Sequence, residues 1–205
     1  LTLGAGTATG ATFAGGAVSI SSGTSADADG GAIKLSAGAA TANTGTGGSI
    51  TIESGEGTVT TSGSLYIRSL NAGTTGGSGM LVFSSGTASS GDSGYMHIGT
   101  GAATVGRGGS ISLTVGSGSS GAGGYLRMES GRSSLQTGGH VTLESGEGTA
   151  TSSGTIKIRT QNSGAAGRSG KLVFSSGSSA TGDAGSLLMG TGASSGDGVG
   201  GSISL

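Results

Sequence analysis

The stretch Gly47–Gly63 reads GGSITIESGEGTVTTSG, and ninety-one residues further on Gly138–Gly154 reads GGHVTLESGEGTATSSG. The changes mostly exchange one apolar residue for another, or one small hydroxyl residue for another. In each copy two apolar residues flank a single residue, Ile50 and Ile52 in the first and Val141 and Leu143 in the second. A Ser-Gly pair follows, and the segment closes on Gly.

This unit recurs throughout. Cut before each apolar pair, the chain falls into fourteen rows of similar length. The second residue of every row, from Leu1, Val18 and Ile33 to Leu187 and Ile203, is aliphatic or Met. The fourth, from Leu3, Ile20 and Leu35 through Phe83 and Phe174 to Leu205, is also apolar without exception. Such regularity separates the chain from a Gly/Ser linker, whose apolar residues are few and scattered.

Alternation in an extended segment places the second, fourth and sixth residues on one face. The sixth is usually Ser or Thr, as at Ser54, Ser69, Ser85, Thr100, Ser130 and Ser145. A row this short cannot hold a strand, a crossover helix and a return, so successive strands can pair in parallel only as turns of a coil. The expected fold is therefore all-β, a single parallel β-solenoid (β-helix) of about 13–14 coils with 15–17 residues per coil. Two aliphatic columns and one hydroxyl column would line its interior. Glycines at the seventh position and the row end would turn its corners or permit close backbone approach.

A longer period overlies the row. Met80–Gly94, MLVFSSGTASSGDSG, returns as Lys171–Gly185, KLVFSSGSSATGDAG, giving a six-coil super-repeat of 91 residues. Copies cover approximately 49–139 and 140–205, with 1–48 as the end of a preceding copy. Residues 1–205 are expected to form one continuous domain. The first residue falls in the second place of a row and the last in the fourth, so a window of a longer array is expected.

Composition narrows the function. Of 205 residues, 50 are Gly and none is Pro, Cys or Trp; 9% are charged. Collagen would need Gly at every third position together with abundant Pro. A formal net charge of −1 argues against nucleic-acid binding, which draws on many Lys and Arg phosphate contacts. No run of apolar residues is long enough to span a membrane, and without Cys no disulfide or thiolate metal site is expected.

The internal copy tests each catalytic string. GDSG at Gly91–Gly94 is similar to the serine-protease nucleophile motif, but the copy reads GDAG, with Ala184 in place of Ser93. His97 and His140 have Leu188 and Ser49 as counterparts, and two dispersed imidazoles do not make a zinc site. Asp27-Ala28-Asp29-Gly30 lacks the distal Glu of a calcium loop. Glu53 with Glu56, repeated as Glu144 with Glu147, could form an acid/base pair. The simpler expectation is surface ion pairs between adjacent coils, Glu53 with Arg68 and Glu144 with Arg159. No catalytic, cofactor or metal residue is assigned, and the chain is not expected to be an enzyme.

The third residue of most rows is polar, as at Thr51, Ser112 and Thr142. Tyr66, Met80, Val82 and Tyr95 form an outward apolar cluster on consecutive rows, and Val173 and Leu188 recur in the copy. They mark a lateral-association patch.

Rows of this kind, with Ser, Thr and Ala between glycines, resemble the very long Gly/Ser-rich repeat proteins predicted from algal genomes, diatoms especially, and more loosely bacterial β-solenoid adhesins. The resemblance implies a secreted or cell-surface structural protein. The expected function is a structural extracellular filament, cell-surface fibre or adhesive that self-associates into filaments or bundles, with a polysaccharide or cell-wall surface as a further partner. The alternative is an ice-binding solenoid using a flat Ser/Thr face, for which Thr58, Ser89, Thr104, Ser119, Ser134 and Thr149 form the best column.

Overall fold

The computed structural model describes residues 2–9, 14–42, 44–195 and 197–204. Leu1 and Leu205, the expected ends of the aliphatic columns, lie outside the described residues. The chain divides into two units, Leu1–Gly101 and Ala102–Leu205.

The β-solenoid is not formed. Among the described residues there is neither strand nor helix. The reason lies in where the backbone hydrogen bonds go. A parallel coil requires the amides of one row to meet the carbonyls of the next. Here the recurring bonds close a row on itself. The row-end amide of Gly31 donates to Gly23 at 2.9 Å, Gly63 to Gly55 at 2.9 Å, Gly139 to Gly131 at 2.9 Å and Gly154 to Gly146 at 2.9 Å. Gly16, Gly48, Gly124 and Gly201 donate in the same way to Gly6, Gly38, Gly116 and Gly192. In every case the acceptor is the seventh residue of the same row, so the row ends in a closed loop.

The sixth-position hydroxyl completes this clasp. Ser22 Oγ donates to the Gly31 carbonyl at 2.8 Å, Ser130 Oγ to Gly139 at 3.0 Å and Thr160 Oγ1 to Gly170 at 3.2 Å. The expected interior hydroxyl column is thus replaced, at these residues, by a bond within the row. Inside the loop, a Ser at the ninth position accepts an amide three residues on. Ser25 Oγ takes the Ala28 amide at 3.0 Å, Ser133 Oγ that of Gln136 at 2.9 Å and Ser179 Oγ that of Gly182 at 3.0 Å. Such bonds are the usual means by which serine stabilises a turn.

The row period therefore survives as a period of loops. Among the described residues bends or turns recur at the row period, from Ala26 and Ala42 through Thr58, Thr74 and Ser89 to Ala165 and Ala180. Close approach explains the row-end glycine. A Cβ on Gly139 would lie 3.2 Å from both the Gly131 nitrogen and Ser130 Cβ. Within the loop, a Cβ on Gly148 would fall 2.4 Å from the Ser152 carbonyl oxygen. Gly131, at the other side of the neck, has open space around its Cβ position.

No hydrophobic core results. Among the described residues none is buried, and Ile67 and Leu143, expected to be interior, are 51% and 65% exposed. The accessible surface is 20059 Å². A folded domain of this mass would expose about 8,300 Å² and the unfolded chain about 27,000 Å². The rows are locally closed and collectively uncovered.

The two glycines of one clasp should respond differently to substitution. Gly139→Ala should force the neck apart and raise amide hydrogen exchange at position 139, whereas Gly131→Ala should leave that exchange unchanged. Equal exchange at position 139 in both variants would show that the neck does not require the close approach.

Candidate functional site

Alternation leaves a mark even without a sheet. The second and fourth residues of the rows range from about half exposed, as with Leu65 at 54% and Met96 at 50%, to 72% at Met128, while Tyr95 reaches 92% and Met80 86%. The half-exposed residues of three successive rows converge in the first unit. Leu65 and Ile67, Phe83, and Met96 with Ile98 line an open groove of about 750 Å³. Ser84, Ser85, Tyr95, His97 and Gly99 complete its lining.

His97 folds back over its own row. Its Nε2 lies 3.0 Å from the point where a Cβ on Gly99 would stand, so a side chain there would crowd the ring. Ser84 Oγ donates to the Ser85 carbonyl at 3.0 Å, and Ser175 Oγ repeats that bond to Ser176 at 2.9 Å in the second unit. The groove can receive apolar surface through its floor, with an imidazole and a phenol at its margin.

The expected patch residues are all exposed: Tyr66, Met80, Val82 and Tyr95 in the first unit, Val173 and Leu188 in the second. Tyr95 joins the groove lining, while the others lie outside it. The expected ion pairs are not brought together. Among the described residues the salt bridge is Arg127–Glu129, within one row, and neither Glu53 with Arg68 nor Glu144 with Arg159 forms one. Residues two apart share a side of an extended segment, so period-two spacing within a row was the available signal for Arg127 and Glu129. Both side chains are largely exposed, and such a pair contributes about 0–1 kcal/mol.

Among the described residues no group of three or more His, Asp or Glu converges as a metal site. Ser93 and Asp92 are exposed and, among the described residues, carry no hydrogen bond to a histidine. The Ser/Thr column of the ice-binding alternative falls at the loop bends. Thr58, Ser89, Thr104, Ser119, Ser134 and Thr149 each lie in a loop bend. No helix among the described residues is long and apolar enough to cross a membrane.

Comparison with known proteins finds no matching family model, no matching curated protein and no matching solved structure.

Proposed function

We propose that this chain is a structural repeat protein whose copies associate side by side into filaments or an adhesive fibre, at the cell surface or outside the cell. One observation carries the reading: the regularly spaced apolar residues of the rows remain exposed in both units, from Ile20 and Ile33 to Leu187 and Ile203. The chain exposes roughly 12,000 Å² more than a folded domain of its mass. A stable interface between proteins needs only about 1,600 Å².

A second copy of the same chain is the occupant that best suits this surface. Every copy carries the same rows, so the apolar residues that need cover and those that supply it occur together at the same spacing. The groove floor is aliphatic and aromatic and bears no carboxylate or ammonium, which favours an apolar complement over a charged one. The location outside the cell rests on the resemblance to Gly/Ser-rich algal repeat proteins.

Val82 and Val173 are 64% and 68% exposed, so Lys at these positions disturbs no internal packing. The wild-type chain should pass from monomer to large species as concentration rises in sedimentation velocity. The double variant Val82→Lys, Val173→Lys should raise that threshold about tenfold or more, since covering a valine contributes about 1.5–3 kcal/mol. A wild-type chain that stays monomeric at millimolar concentration, or a variant with an unaltered threshold, would overturn the reading.

The salt response gives an independent check. Apolar association should be strengthened by sodium sulfate and change by no more than about twofold between low and moderate sodium chloride. Dissolution of the assemblies by sodium chloride would point to ion pairing in place of apolar contact.

A further inference from the structure

We infer that His97 makes self-association pH-dependent, a regulation that rests on the proposed assembly through the apolar rows. His97 lines the groove whose floor is Leu65, Ile67, Phe83, Met96 and Ile98. Its Nε2 lies 3.0 Å from the point where a Cβ on Gly99 would stand. Tyr95 is the other titratable group in the lining. Arg68 belongs to the row that supplies Leu65 and Ile67 but does not line the groove, and no carboxylate does.

When a second copy covers the groove, a neutral imidazole can be enclosed at small cost. An imidazolium would be enclosed among aliphatic and aromatic side chains without a counter-charge, which is strongly disfavoured. Association therefore selects the neutral ring, and dissociation takes up a proton. The sign follows: assembly is strongest where the imidazole is neutral and weakens as pH falls and the ring takes up its proton.

The chain contains its own comparison. At the equivalent place in the second copy stands Leu188, and Ser186 replaces Tyr95, so the charge-changing group is confined to one copy of the super-repeat. His97→Leu is thus a substitution that the repeat itself already carries. The remaining histidine, His140, lies outside the groove lining and serves as a control.

The experiment measures the association threshold by light scattering at pH 7.5 and pH 5.5, above the ordinary range of carboxylates, for the wild-type chain, His97→Leu and His140→Ser. The expected result is a rise of about tenfold from the higher to the lower pH in the wild type and in His140→Ser, with no change in His97→Leu. A wild-type threshold independent of pH, or a dependence that persists in His97→Leu, would overturn the switch and leave the assembly reading standing. Absence of assembly in the wild type at either pH would overturn that reading and the switch with it.

Discussion

A backbone amide has one strong hydrogen bond to give, and in this chain the row-end amide gives it to its own row. Gly31, Gly63, Gly139 and Gly154 each donate to a glycine carbonyl at the start of their own loop. Those amides are no longer free to join a neighbouring row. With the rows closed individually, the described residues form no ladder, no sheet and no wall, so the apolar residues that a sheet would have enclosed remain in contact with solvent.

The clasp is modest beside what it must order. An exposed hydrogen bond contributes about 0.5–1.5 kcal/mol, whereas fixing the backbone of one residue costs about 1–2 kcal/mol. Apolar burial is the larger reservoir of stability, and within this chain it is only partly used: Leu65, Ile111 and Leu172 are all about half exposed. On the proposed reading that reservoir is drawn on between copies, so ordering and assembly are coupled, as for segments that fold on a partner.

Internal repetition separates what is local from what is not. Gly63 with Gly55 and Gly154 with Gly146 form the same bond at 2.9 Å in different units, and Ser84 and Ser175 repeat the same local contact. Geometry reproduced in two units from matching residues is geometry that the local sequence specifies. The copies differ at the groove, where His97 and Tyr95 stand against Leu188 and Ser186.

The spacing of Gly, Ser and Thr determined by itself the period, the bends that recur with it among the described residues and the small residues at the necks, because each depends on residues close together in sequence. Alternation also determined that residues such as Leu65 and Met96 would be less exposed than Tyr95 and Met80. Alternation states that a segment has two sides, but not which partner receives its amides. The tertiary structure decided that these amides turn back within the row, that Ser22 and Ser130 clasp a loop instead of lining an interior, and that Arg127 pairs with Glu129. It also decided that Leu65, Phe83 and Ile98 meet in a groove with His97 beside them. Those outcomes turn on competition between an acceptor within the row and one in the next row, and the two look alike in a sequence that repeats.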